Sequence, residues 1–90
     1  MKEVLIFVSG AVQGIGYRYF VKVCADKRGI VGLVRNLAND KVEILAQGIE
    51  SNLKNFLNEV CTKHTEAKIK SCEITWHEPR EAFNDFRIEL

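Results

Sequence analysis

The order in which this chain changes its hydrophobic period constrains its fold more than any other feature. Residues 4–8, Val4-Leu5-Ile6-Phe7-Val8, form an unbroken apolar run rich in β-branched and aromatic side chains, and Ser9-Gly10 closes it. Such a run reads as a buried strand. Phe20, Val21, Cys24 and Ala25 then make one stripe at helical spacing, which predicts a helix over 18–28 stopped by Gly29. Residues 31–37 and 41–47 return to strand character on either side of Asn39-Asp40. Both of those turn residues tolerate φ > 0, so a tight hairpin is expected there. Val42, Ile44 and Ala46 alternate with Lys41, Glu43 and Gln47, the pattern of a half-buried strand.

Ser51 is the expected cap of a second helix, whose stripe runs Leu53, Phe56, Leu57, Val60, Cys61. Residues 68–76 read as another strand, broken at Pro79, which offers no donor to a ladder. Residues 83–90 make a last strand carrying Phe86 and Ile88. The order is β-α-β-β-α-β plus one strand. It predicts the α+β ferredoxin-like sandwich, with two helices on one face of an antiparallel sheet. Ninety residues leave room for this single domain, spanning 1–90, and no second one.

That fold hosts many functions, so composition and local motifs must narrow them. Hydrophobic residues at 47% and charged residues at 28% suit a globular chain and exclude a disordered one. Thirteen Lys and Arg against twelve Asp and Glu leave a net charge of +1. Duplex nucleic-acid binders and polybasic membrane modules need a larger positive surplus, so the expectation is no nucleic acid and no membrane. An RNA-binding module on the same fold stacks bases on strand aromatics, and residues 41–47 have none. The first apolar run is too short for a signal peptide or a membrane span. Together with the lack of any Asn-x-Ser/Thr sequon, this points to a cytoplasmic chain.

Cys24, Cys61 and Cys72 are odd in number and contain no Cys-x-x-Cys pair, which argues for reduced thiols. Cys24 and Cys61 fall on the two helical stripes, where free Cys serves as a small hydrophobe. His64 and His77 lack the short spacing of zinc ligands and read as surface or helix-end residues, so no metal and no cofactor are expected.

One segment departs from local rules. In Ser9-Gly10-Ala11-Val12-Gln13-Gly14-Ile15-Gly16-Tyr17-Arg18, three of the six glycines fall within seven positions, between the first strand and first helix. Glycines at φ > 0 can turn successive N–H groups towards one point, and such a nest leading into a helix N-terminus binds anions. The helix starts without Ser, Thr, Asp or Asn to cap it. Arg18 sits in its first turn, where the dipole disfavours a cation by roughly 0.3–1 kcal/mol. The same residues also suit a plain tight turn followed by a solvated arginine, and spacing alone does not separate the two. The loop lacks both Gly-x-Gly-x-x-Gly and a Gly-Lys-Ser/Thr ending, so nucleotide motifs are not indicated. Asn36, near the end of its strand, carries a carboxamide that donates and accepts without titrating and could orient a water. Taken alone, preparing the turn is its plainer role.

Gly10-Ala11-Val12-Gln13-Gly14-Ile15-Gly16-Tyr17-Arg18 resembles the acylphosphatase signature Gly-x-Val-Gln-Gly-Val-x-Phe-Arg, and Gly32-Leu33-Val34-Arg35-Asn36 resembles its second block, Gly-x-Val-x-Asn. The likeness covers nearly the whole chain. Departures are mild: Ala11 stands where many members carry a longer, often basic residue, Ile15 replaces Val, and Tyr17 replaces Phe. Asn39-Asp40-Lys41 stands where Asp-Gly is common.

The resemblance implies a single-domain enzyme that hydrolyses the carboxyl-phosphate bond of acyl phosphates to a carboxylate and inorganic phosphate. Carried over by motif, Arg18 and the backbone amides of Gln13, Gly14, Ile15, Gly16, Tyr17 and Arg18 bind the phosphoryl group, while Asn36 positions the attacking water. The expected partners are the small acyl phosphate and its phosphate product, with the chain a monomer. The competing expectation is a non-catalytic anion-binding or regulatory domain, because binding and hydrolysis share Arg18 and the loop. A further expectation is that the Leu90 carboxylate reaches Arg18 and orients it.

Overall fold

A computed structural model describes residues 1–89 of the chain. The elements run β1 Lys2–Ala11, α1 Tyr17–Asp26, β2 Val31–Leu37, β3 Lys41–Gly48, α2 Glu50–Thr62, β4 Lys68–His77 and β5 Phe86–Glu89. They form one five-stranded sheet in the order β4-β1-β3-β2-β5. The β1–β3, β1–β4 and β2–β3 pairs are antiparallel, as the ferredoxin-like order requires. The added strand β5 instead runs parallel to β2, pairing Val34 with Ile88. The sheet is therefore mixed, because β5 arrives on the edge beside β2 after β4 has closed the opposite edge.

Alternation sorts the strand residues. Val4, Ile6 and Val8 of β1 and Val42, Ile44 and Ala46 of β3 all point to the helix-covered face and are fully buried. Val21, Cys24 and Ala25 of α1 and Leu53, Phe56 and Val60 of α2 meet them there. Each Val, Ile, Leu or Phe among them contributes roughly 1.5–3 kcal/mol by leaving water. The helices lie antiparallel: Asn52 Nδ2 donates to the Arg28 carbonyl near the start of α2, and Tyr17 Oη donates to the Val60 carbonyl near its end.

Several local expectations shift. β1 extends beyond Val8 to Ala11, and its register with β4 slips between Ser9 and Gly10. Gly10, at φ +133°, is held in this strand by close approach, since an added Cβ would strike the Lys68 carbonyl oxygen. It therefore belongs to the sheet and not to the turn that follows. Ser51 does not cap α2. The helix begins at Glu50 with Ile49 as the half-in residue, and Glu50 already places a carboxylate in the first turn. The last strand starts at Phe86, three residues later than Phe83. The chain before it is held as a loop by the Gly32 N–H, which donates to the Asp85 carbonyl at 2.9 Å.

The two expected turns hold closely. Asn39 and Asp40 both adopt positive φ, +62° and +57°, in the β2–β3 turn. Gly29 ends α1 at φ +65°. The Ile30 N–H reaches the Ala25 carbonyl and the Gly29 N–H reaches that of Asp26, the paired bonds of a Schellman closure. All three cysteines are free, with Cys24 buried and Cys61 and Cys72 half-buried. No helix among the described residues is long and apolar enough to cross a membrane.

Candidate active site

The link between β1 and α1, the end of β2 and the end of β5 converge at one end of the sheet. They enclose a cleft of about 200 Å³ lined by Val12, Gln13, Gly14, Gly16, Tyr17, Arg18, Tyr19, Asn36 and Ile88. Gly14 and Gly16 sit at φ +78° and +75°, with nothing within 4 Å of an added Cβ. Their need for glycine is conformational, since both adopt left-handed backbone where they line the cleft. Gly16 is also the half-in residue of α1, and no side chain caps this end. No acidic residue stands in the first turn. The start of α1, its positive dipole end, thus lies beside the cleft without a side-chain cap.

Arg18 projects from that first turn. Its Nη1 donates to the Glu89 carbonyl at 2.9 Å, which fixes the guanidinium against β5. It forms no ion pair with any described carboxylate, so its charge is available to an anion. The expected contact from the Leu90 carboxylate lies outside the described residues, and the preceding carbonyl does the orienting that is seen.

Asn36 enters from the sheet. Gly32, Val34 and Asn36 share one face of β2. Val34 is buried beneath the helices, and Asn36 lies beyond their cover, exposed, with its carboxamide at the cleft. Alternation thus carries a polar side chain out of the core into the site. Arg35, on the opposite face, is tied to Glu43.

Not every loop residue has its side chain in the cleft. Ile15 packs against the hydrophobic core, leaving only its backbone for a loop role. Tyr17 is buried, with its hydroxyl 2.7 Å from the Val60 carbonyl and the His64 ring against it at 5.8 Å. Burial pushes its phenol well above the usual range, with the nearby cysteines adding to the effect. Its side chain anchors the loop to α2. Sequence reasoning assigned no site role to Tyr19 or Ile88. Tyr19 stands off the buried stripe of α1 and is 67% exposed at the rim. Ile88 joins the site through the parallel β2–β5 pairing, which no local pattern announces.

Wider hollows lie elsewhere. One of about 450 Å³ is lined by Lys2, Glu50, Lys54, Trp76, His77 and Glu78. Its lysines are already paired, Lys2 with Glu78 at 3.6 Å and Lys54 with Glu50 at 3.2 Å. Beside it, buried Glu3 accepts from Gln47 Nε2 at 2.7 Å and lies 2.9 Å from His77 Nδ1, a satisfied internal network. His77 is thus more enclosed than its position suggests.

An uncapped glycine loop, an arginine with no carboxylate partner among the described residues and a carboxamide thus line one cleft on this fold. The acylphosphatase family model matches residues 4–88, and the chain belongs to that family, hydrolases of acyl phosphates. It is 39% identical over 88 residues to the acylphosphatase of Bacillus subtilis, covering 98% of this chain and 97% of that protein. The acylphosphatase of Thermotoga maritima is 38% identical over 89 residues, covering 99% and 98%. The crystal structure of acylphosphatase from Bacillus subtilis superposes with a TM-score of 0.95 at 38% identity, covering all of both chains.

Proposed function

We propose that this chain hydrolyses acyl phosphates without a metal, using Arg18 and the backbone amides of residues 13–18 to bind the phosphoryl group and Asn36 to position water. One observation carries this assignment: Arg18, the glycine loop and Asn36, separate in the sequence, line the same cleft. The guanidinium suits the task because its planar fork meets two phosphate oxygens at once. The loop amides and the dipole end of α1 are fixed in advance. They stabilise charge on the transferring phosphoryl group without reorganising.

In the step itself, the water oxygen bonds to phosphorus while the phosphorus–oxygen bond to the acyl group breaks. The electron pair of that bond leaves with the carboxylate. The water oxygen becomes part of inorganic phosphate, and its surplus proton passes to phosphate or solvent. A carboxylate is the conjugate base of an acid with pKa about 4, so it departs with little need of a proton. That chemistry explains why an arginine and an asparagine suffice without a general acid or a Lewis acid. Phosphate esters, which expel alkoxides, are expected to react poorly.

A spectroscopic assay of benzoyl phosphate tests the assignment. The expected result is turnover unchanged by chelator, competitive inhibition by inorganic phosphate, and a fall of about 100-fold in kcat for Asn36→Ala, the scale of a misplaced nucleophile. Turnover that collapses with chelator would overturn the metal-free mechanism. Wild-type kcat in Asn36→Ala would overturn the water assignment. A folded wild-type chain that binds phosphate but hydrolyses nothing would be a binding module.

A further inference from the structure

The Gln13 side chain does something that its place in the loop does not require. Its Nε2 donates to the Leu37 carbonyl at 2.8 Å and to the Lys41 carbonyl at 2.9 Å. Both acceptors are carbonyl oxygens, so only the amide nitrogen can face them. Leu37 and Lys41 are partners in register at the neck of the β2–β3 hairpin, where β2 ends and β3 begins. One carboxamide thus bridges both strands and ties them to the residue that opens the glycine turn. Leu37 directly follows Asn36.

We propose that Gln13 is a positioning residue: its side chain holds the phosphate loop in register with the end of β2, and so sets the spacing between bound phosphorus and the water at Asn36. The proposal rests on the reading of the loop and Asn36 given above. Residues 12–16 have few other ties. The Val12 N–H bonds within its own turn to Gly10, Ile15 packs inward, and the Gly16 carbonyl accepts from Phe20 N–H as α1 begins, which leaves Gly14 with no backbone bond among those of the described residues. The hairpin tip, with Asn39 and Asp40 in left-handed conformations, is exposed. One clamp thus joins the glycine turn to the exposed hairpin. An error of about 1 Å in a reacting geometry lowers rate by as much as 100-fold, so the clamp acts on turnover more than on binding.

Gln13→Met keeps the length of the side chain and removes both donors. Hydrogen exchange on the intact variant is expected to quicken at least about tenfold in residues 14–16 and 38–40, with β1 and β3 unchanged. On benzoyl phosphate, kcat is expected to fall about 10–100-fold while the inhibition constant for inorganic phosphate moves less than about threefold. In the Asn36→Ala background, Gln13→Met is expected to cost only a few-fold further, because the water it aligns is already lost. Unchanged exchange in both segments overturns the clamp. A loss confined to phosphate binding, with wild-type kcat, overturns the positioning role, as does full multiplication of the two kcat losses. Asn36→Ala alone bears on the water assignment, whereas the exchange pattern decides the clamp independently of it.

Discussion

The two helices of this domain begin in opposite ways. Neither has a side-chain cap. α2 offsets its dipole with Glu50 in the first turn, steadied by Lys54 one turn on at 3.2 Å. α1 has no acid there. It enters through a left-handed glycine and sets Arg18 where a cation is unfavourable. The far end of α1 shows that this is not a generally careless helix: Gly29 closes it with paired bonds, and Lys27 and Arg28 beyond it meet Glu59 at 2.7 and 2.6 Å. Only the end that faces the cleft is left unsatisfied. That contrast locates where stability yields to function.

Arg18 is where the contrast breaks most visibly. Arg18→Ala is expected to lower kcat/KM by 100-fold or more, the roughly 3–4 kcal/mol of a lost charge-stabilising donor. Arg18→Lys should restore little, since an ammonium cannot meet two oxygens from a planar fork. Stability should change by less than about 2 kcal/mol in Arg18→Ala, because losing the bond to the Glu89 carbonyl is partly offset by relief at the dipole. Parallel benzoyl phosphate kinetics and urea titrations check both halves. A variant that unfolds in proportion to its lost activity would make Arg18 a structural residue.

This division also explains what the sequence could reveal. The helical stripes, the alternation in β3 and the Asn39-Asp40 turn are local signals, and each appears where its period places it. Arg18, Gly14, Gly16 and Asn36 were legible because they break local expectation or recur in a motif. Ile88 and the anchoring of Arg18 by Glu89 were not, since both depend on the parallel docking of β5, a pairing between segments far apart in the chain. Ser51 misled because a good capping residue competes with any start that already places an acid in the first turn. The Gln13 clamp lies in a motif residue whose side chain had no local partner to suggest its role.

Glycines at the two ends of α1 permit a finer test. Gly16 and Gly29 share positive φ, +75° and +65°, and both have open space around an added Cβ. Gly16→Ala and Gly29→Ala should therefore cost similar stability, about 1–2 kcal/mol each, through backbone conformation alone. Their effects on catalysis should part: Gly16→Ala lowers kcat/KM, and Gly29→Ala leaves it near wild type. Equal kinetic losses would mean that the start of α1 has no special function. At α2, Glu50→Gln is expected to cost about 0.3–1 kcal/mol with unaltered kinetics, read from the shift in urea midpoint.

The smallest effect concerns Glu59, which joins the well-satisfied end of α1 to α2. Its hydrogen bond with Lys27 holds the carboxyl below the usual range, and the charge of Arg28 adds to this against the opposing pull of burial. A folded-state value below the unfolded one means that the stabilisation is fully present above about pH 4.3 and is lost as pH falls through the folded value. The side chain is 21% exposed, so solvent screens it only in part. Two such pairs are together worth about 1 kcal/mol at neutral pH. Glu59→Gln should therefore lower the urea midpoint modestly at pH 7, and the gap from wild type should close once the carboxyl is protonated. Activity should be untouched at neutral pH, because this end of α1 faces away from the cleft. A gap that persists at low pH would assign the contribution to packing and neutral hydrogen bonding, and would leave the contrast between the ends of α1 resting on the closure at Gly29 alone.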